Sequence, residues 1–362
     1  MRRSGLVQLS AAAAVAAIAL TACSSGGSTE LDPNADISEQ TLTISTWPEY
    51  YSPTLAEDFE AATGVKLNIV HHATNEEGFA KVTASADSGI DIVFLAGNFI
   101  SVLVEEGLAS EIDQNAVPNL ENLYPEVRKF AFDPDLKHNV PYAWGTTGLC
   151  YREDLVAETP DSWADLLEPA PEAVGKTTLM DDMRWTFIPA QRLLGYSINT
   201  TDEAELDEVG AVLKNAAQKS LAFDNTTYGE KLIAGEAVLS HGHDGWCNTA
   251  ASEDPRVSFA MPKEGSDLWV DGMVLLKSSK NREAAHAFMN YILETENQTW
   301  LVENLLYNVP NRAAMESLPD ELFEKYPALI RDGASLAQME QIEDVGDAID
   351  IYNRINTEIR AG

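Results

Sequence analysis

Aromatic and acidic residues recur side by side at a few places in this chain. Trp47, Glu49 and Tyr50 stand together, Asp182 is followed closely by Trp185, and His243 by Asp244 and Trp246. Trp269 and Asp271 form a fourth group, and Ala96-Gly97-Asn98 a fifth with neither an acid nor a ring. Indole and phenol faces stack on methylene groups and attract a positive charge, with up to ~2 kcal/mol per well-desolvated contact. Carboxylates accept the hydrogens of an ammonium in charge-assisted bonds. The chemistry these groups share is the holding of an organic cation. Each residue also has a plainer use: a tryptophan packs between layers, and an acid in a turn caps a helix.

Other chemistries find less support. His241-Gly242-His243-Asp244 supplies alternate residues on one strand face without a third and fourth metal ligand, so no metal is expected. His71-His72 reads as strand-end surface. There is no G-x-S-x-G elbow, P-loop or H-E-x-x-H helix. Asp182 and Asp271 are in principle sufficient for a glycosidase pair, which keeps a surface hydrolase as an alternative. No cofactor is expected.

The elements that must position these groups follow from periodicity. Leu42 and Ile44 alternate with polar neighbours in a strand over Thr41–Thr46 that ends at Trp47. Ser52 as N-cap and Pro53 as first helical residue open a helix that shows Leu55 and Phe59 on one face and stops at Gly64. Val65, Leu67 and Ile69 form a second strand, Asn75 caps a helix through Ser88, Asp91 to Leu95 is a buried strand, and Asn98 or Ser101 starts a helix ending at Gly107. The later half repeats the pattern. Strands are expected at Lys176–Met180, Ala237–Ser240, Val257–Met261 and Met273–Leu276, with Trp269 and Asp271 just before the last. Helices are expected up to Leu194, over Asp202–Lys219, Arg282–Glu294 and Glu296–Glu303, and near Asp344–Arg360. This alternation predicts an α/β fold with mostly parallel sheets covered by helices. In such sheets ligands bind beyond the carboxyl ends of strands, where the aromatic and acidic groups fall.

The 362 residues suit two domains, and the 45% hydrophobic composition provides ample core. With 24 basic and 58 acidic residues, the net charge of −34 disfavours nucleic acid and anionic lipid as partners. An acid-rich soluble surface accounts for most of that excess, so charge alone names no ligand. Arg2 and Arg3 precede an apolar run from Leu9 to Leu20, and Leu20-Thr21-Ala22-Cys23 leads into a polar, flexible stretch. This is a secretory signal over 1–22, too short to span a bilayer. Its end resembles a bacterial lipobox, which implies lipid on Cys23, a linker over 23–39, and an extracytoplasmic, membrane-anchored protein. Cys150 and Cys247 are then left in an oxidising compartment, where a disulfide and two buried thiols both fit. Closing a loop of about a hundred residues contributes up to ~4–5 kcal/mol in the chain-entropy picture.

Trp47-Pro48-Glu49-Tyr50 and Glu60-Ala61-Ala62-Thr63-Gly64-Val65 resemble the opening of the bacterial spermidine/putrescine-binding proteins of ABC transporters. The likeness continues in order through Val140-Pro141-Tyr142-Ala143-Trp144-Gly145-Thr146, Ser162-Trp163-Ala164-Asp165-Leu166 and the segment from Leu194 to Asp202. Pro262-Lys263-Glu264-Gly265, Trp269-Val270-Asp271 and Tyr307-Asn308-Val309-Pro310-Asn311 complete it. The resemblance implies a two-lobe, type II periplasmic-binding fold closing about a hinge, with 40–142 plus 273–311 as one lobe and 143–272 plus 312–362 as the other. It implies a monomer without enzymatic activity that hands a polyamine to membrane permease subunits. It also implies a ligand gripped by Trp47, Glu49, Tyr50, Asp182, Trp269, Asp271 and Tyr307. Four positions depart from the family pattern. Ala96 and Asn98 stand in place of a hydroxyl and a tyrosine, Trp185 in place of a second carboxylate, and His243 in place of a stacking tryptophan. These departures bear on which amine is taken; another organic cation or small solute is the nearest alternative.

Overall fold

The computed structural model describes residues 31–32 and 35–361. The signal segment and Cys23 lie outside the described residues. Among those described, no helix is long and apolar enough to cross a membrane.

The chain lays down strand–helix units in sequence. The first set is β1 (Thr41–Thr46), α1 (Leu55–Thr63), β2 (Lys66–His71), α2 (Asn75–Thr83), β3 (Ile92–Ala96) and α3 (Gly97–Glu105). After four short 3-10 turns come β4 (Asn139–Gly145) and β5 (Thr147–Arg152), separated only by Thr146. The middle of the chain forms α4 (Trp163–Leu167), β6 (Thr177–Leu179), α5 (Met183–Leu194), α6 (Glu203–Ala217), β7 (Ala222–Phe223), α7 (Tyr228–Ala234), β8 (Leu239–His243), α8 (Asp244–Glu253) and β9 (Val257–Ala260). The long β10 (Asp267–Leu275) follows, then α9 (Arg282–Ile292), α10 (Thr295–Leu305), α11 (Arg312–Ser317), α12 (Asp320–Lys325), α13 (Gly333–Leu336), β11 (Glu340–Gln341) and α14 (Ile349–Arg360).

Two sheets result. The first runs β11-β10-β3-β1-β2 with β4 also on β10, and the second β7-β6-β8-β5-β9. In the first, β1 pairs in parallel with β2 and β3, and β10 closes the parallel run by pairing antiparallel with β3 and β4. In the second, β6 is parallel to β7 and β8, while β5 runs antiparallel to β8 and β9. The chain therefore passes from the first sheet to the second at Thr146 and returns over residues 261–266. Its C-terminal α14 packs Tyr352, Ile355 and Ile359 into the core of α5 and α6, with Phe187 and Leu206.

Local sequence explains most elements. Leu42 and Ile44 of β1 are fully buried, and Phe59 of α1 sets its ring 5.3 Å from that of Phe288. Burying a side chain of this size contributes about 1.5–3 kcal/mol. Some ends fall elsewhere than the sequence predicts. Thr54, not Ser52, is the residue before α1, because the Ser52 carbonyl closes a turn onto the Leu55 amide at 2.9 Å. Thr74, not Asn75, caps α2, its hydroxyl accepting from the Glu77 amide at 3.2 Å. That helix ends at Thr83 rather than Ser88, since Ser85 and Asp87 turn their side chains onto local backbone groups and compete with the helix. β10 begins at Asp267, not Met273, so Trp269 and Asp271 lie inside a strand. It is central in its sheet and buried at almost every position, which removes the alternation that marks a half-exposed strand. β4 and β5 are buried at every residue and equally silent in periodicity. Cys150 of β5 and Cys247 of α8 are joined as a disulfide within the second sheet and its cover, Cα to Cα 5.8 Å.

Candidate functional site

A cavity of about 380 Å³ opens between groups carried by the two sheets. Trp47 and Pro48 follow β1, Tyr50 sits in the next turn, and Ala96 ends β3. Trp269 and Asp271 enter from β10, and Tyr307 from the segment after α10. From the other sheet come Met180 after β6, Asp182 and Trp185 at the start of α5, Asn225 and Thr226 after β7, His243 at the end of β8, and Trp246 on α8. The parallel strands thus deliver their carboxyl ends to the cavity, as the sheet rule requires.

The rings form a continuous edge-to-face lining. Trp47 meets Tyr50 at 5.5 Å between centroids, Tyr50 meets Tyr307 at 5.7 Å, and Tyr307 meets Trp269 at 5.8 Å. Trp269 meets His243 at 6.0 Å, and His243 meets Trp185 at 5.8 Å. Edge-to-face packing fixes each ring by its neighbours. Behind Trp47 stands His72, which is buried and bonds the Ser45 hydroxyl at 2.9 Å through Nδ1, contrary to the surface position expected of it. β2 ends at His71, which stays exposed, and the next residue turns inward beneath the indole. Burial, then Lys81, lowers the His72 imidazole to about 4, so it is neutral at pH 7.

Asp271 is the carboxylate at the heart of the lining. The β10–β4 register shifts between Asp271 and Gly272, an irregularity of the kind that re-aims a side chain next to a site. Tyr50 donates its hydroxyl to Asp271 Oδ2 at 2.9 Å, and the Tyr142 hydroxyl holds the Tyr50 carbonyl at 2.6 Å. Burial pushes the Asp271 carboxyl up to about 7, opposed only by the Tyr50 bond. The Tyr50 phenol is raised well above its usual range, first by burial and then by Asp271. Asp182 caps α5, accepting from the Arg184 amide at 3.2 Å, and its carboxyl is also raised by burial. Burial lowers the His243 imidazole, with Asp267 pulling the other way.

Two further buried acids lie just behind the lining. Asp244 accepts from the amides of Gly245 at 2.9 Å and Thr146 at 3.2 Å and from Asn308 Nδ2 at 2.9 Å. Burial raises its carboxyl to about 7 despite these donors. Asp267 accepts from the Thr147 amide at 3.1 Å, the Thr147 hydroxyl at 2.6 Å and Trp185 Nε1 at 3.0 Å. Gly145 allows this crowding: a Cβ there would come within 2.4 Å of both Asp244 Oδ2 and Trp269 Cζ2. At Gly245 a Cβ would meet the Tyr307 ring at 2.6 Å. Trp269 Nε1 and His243 Nδ1 are buried without a protein partner.

Of the residues singled out in the sequence, Trp47, Tyr50, Asp182, Trp185, His243, Trp269, Asp271 and Tyr307 line this one cavity. Glu49 does not. It sits exposed at the tip of the turn with a left-handed φ of 59°, which carries its side chain away from its neighbours. Asn98 faces a small separate recess shared with Phe132, Trp185 and Trp269. Asn75, Met180, Asn225 and Thr226 line the cavity unannounced; Asn75 reads as a helix cap, and Asn225 follows a two-residue strand without periodicity. Asp267 gave no signal either, because nothing local marks an acid whose partners lie on β5 and α5. His241 and His243 share a strand but not a setting: His241 bonds the Thr147 hydroxyl at 3.0 Å and packs on Trp163. No group of three or more His, Cys, Asp or Glu among the described residues is arranged to hold a metal ion.

Comparison with known proteins adds to this geometry. The sequence pattern of the bacterial extracellular solute-binding proteins matches residues 54–330. The spermidine/putrescine-binding periplasmic protein of Salmonella typhimurium is 32% identical over 323 residues, covering 89% of this chain and 92% of that one. The putrescine/cadaverine-binding protein of Pseudomonas aeruginosa is 28% identical over 331 residues, covering 88% of this chain and 93% of that one. Among solved structures, the spermidine/putrescine ABC transporter substrate-binding protein PotD of Streptococcus pneumoniae superposes with a TM-score of 0.81 at 27% identity, over 89% of this chain and 99% of that one.

Proposed function

The chain belongs to the bacterial extracellular solute-binding proteins, and on that premise we propose that it captures a polyamine between its two sheets and delivers it to an ABC importer. The family places its work outside the cytoplasm. The observation that carries the reading is Asp271, a half-buried carboxylate with a single hydrogen-bond donor, ringed by Trp47, Tyr50, Trp269 and Tyr307. Aliphatic amines ionise near lysine, at about 10.4, so polyamines arrive as multiply charged cations. One ammonium neutralises Asp271 and a second Asp182, while the methylene chain lies against Trp47, Trp269 and Tyr307. The rings exclude water, which strengthens both the charge pairs and the cation–π contacts.

Delivery requires that the ligand favour a closed arrangement of the lobes over an open one, since equal affinity for both shifts nothing. The two passages at Thr146 and 261–266 are where such a hinge would bend. The relatives' names and the solute-binding family together argue for permease subunits as the partner and against turnover of the ligand. We further infer that the protein is a monomer held to the membrane by lipid on Cys23, through a linker over 23–39.

Titration calorimetry with putrescine, cadaverine and spermidine tests the reading, alongside choline and a neutral sugar. Binding of at least one polyamine, with none of the controls, is the expected outcome. Binding of choline or the sugar alone would transfer the protein to another solute, and hydrolysis of any ligand would make it an enzyme. Mass spectrometry of the membrane-extracted protein, with an intact unmodified Cys23, would remove the lipid anchor.

A further inference from the structure

The carboxylates among the residues lining the cavity are Asp182 and Asp271, and no lysine or arginine lines it. Two neutral amides also face it, Asn75 and Asn225. The oxygen of each is already engaged by a backbone amide, Asn75 Oδ1 by Ala96 at 2.9 Å and Asn225 Oδ1 by Asp181 at 2.6 Å. The remaining amide nitrogens only donate, as ammonium groups do. A ligand with two ammonium groups therefore finds one carboxylate for each. A third ammonium drawn into the cavity finds only neutral groups, the rings and the Thr226 hydroxyl, and an ammonium desolvated without an anionic partner is costly.

A third carboxylate stands close by but out of reach. Asp267 is fully buried and does not line the cavity. Its Oδ1 is committed to the amide and hydroxyl of Thr147 at the passage between the sheets. Its Oδ2 takes one side-chain donor, Trp185 Nε1 at 3.0 Å, and it is the Trp185 ring that faces the cavity. The indole is thereby fixed in two ways, by Asp267 behind it and by the His243 ring 5.8 Å away. An anion on the indole N–H also makes the exposed ring face more electron-rich, which suits methylene and ammonium contact.

We propose that this cavity is a site for linear diamines in which Trp185 masks a third carboxylate, Asp267, from the ligand. The inference rests on the polyamine reading above and deepens it: the masked acid decides how many ammonium groups the site accepts. Trp185 is then a specificity residue that touches the ligand, and Asp267 a positioning residue that acts through it.

Calorimetry on the full chain with putrescine and spermidine decides the matter. The unmodified protein should hold putrescine at least tenfold more tightly than spermidine. Trp185→Ala, which opens a path to Asp267 Oδ2, should move that ratio at least tenfold toward spermidine. Adding Asp267→Asn to Trp185→Ala should abolish the move, a result that loss of an indole alone would not produce. Trp185→Ser removes the ring as well, and it carries the same test should the alanine variant not fold. Equal or tighter binding of spermidine by the unmodified protein overturns the diamine assignment while leaving the polyamine reading intact. A ratio shift that persists in the double variant removes Asp267 from the argument. If neither amine binds, the broader reading fails and this one with it.

Discussion

Asp271 and Asp244 are carboxylates beside the same cavity, the first half-buried and the second fully buried, and removal from water raises both to about 7. Their partners differ. Asp244 is met by two backbone amides and the Asn308 side chain, and it ties the β4–β5 passage to the start of α8 and to the segment around Asn308. Asp271 has the Tyr50 hydroxyl and faces an open volume lined with rings. Asp244 is saturated and structural; Asp271 keeps acceptor capacity toward the cavity, where we propose that a cation meets it. Burial and a raised pKa therefore do not identify a binding acid, whereas the number of protein donors left to satisfy it does.

The contrast can be broken most sharply at Asp271. Asp271→Asn should weaken polyamine binding by about 2–5 kcal/mol, the range found when one partner of a buried charge pair is removed. The melting temperature of the empty protein should barely move, because the amide replaces a carboxyl that burial already disfavours as an anion. Calorimetry paired with thermal denaturation reads both effects, and unchanged affinity would take Asp271 out of the site.

Gly145 touches both sides of the comparison. Gly145→Ala places a methyl against Asp244 Oδ2 and Trp269 Cζ2, so it should cost about 1–3 kcal/mol of stability and also weaken binding. A variant with unchanged melting and affinity would show that the crowding is relieved at no cost.

Asp244→Asn isolates the structural side. An asparagine offers one oxygen where donors now approach both, so about 1–3 kcal/mol of stability should be lost from a group left unsatisfied. Affinity should change by no more than about 0.5 kcal/mol, roughly twofold. A large affinity loss with intact stability would reverse the roles assigned to the two acids.

The smallest effect expected is that of pH. Both acids titrate higher in the folded chain than their usual 3.8, so the native state binds more protons than the unfolded one between that value and about 7. Their contribution makes the empty protein lose stability as pH rises through this window. Cation binding runs the other way, since it needs ionised Asp271. Affinity should fall roughly tenfold from pH 8 to pH 6, with proton release on binding at the lower pH. Asp182, raised by burial, adds to the slope in the same sense. Calorimetry in buffers of different ionisation enthalpy measures the released protons, and a flat profile that Asp271→Asn does not alter would contradict the assignment.

Much of this molecule is local in origin. The alternation of Leu42 and Ile44, the pairing of Leu55 with Phe59 and the left-handed Gly64 at φ 80° made the first strand and helix readable without coordinates. Aromatic and acidic residues at strand ends made the character of the site readable too, because parallel sheets bring those ends together whatever their sequence separation. β4, β5 and the first half of β10 were silent, since a strand covered on both faces loses the period of two. Glu49 lies outside the lining for a related reason: its backbone is left-handed at the tip of the turn, while Trp47 and Tyr50 on either side of it line the cavity.

The amino-acid sequence on its own determined the family, the layered α/β construction and the type of ligand chemistry, all of which depend on residue types and short-range order. Which acids meet solvent, which are spent on the passages between sheets, and which indole stands in front of Asp267 were decided only in three dimensions. Those outcomes depend on hydrogen bonds between residues far apart in the chain, such as Trp185 with Asp267 and Asn308 with Asp244. No local pattern encodes the partner of a buried carboxylate, because the partner is chosen by packing.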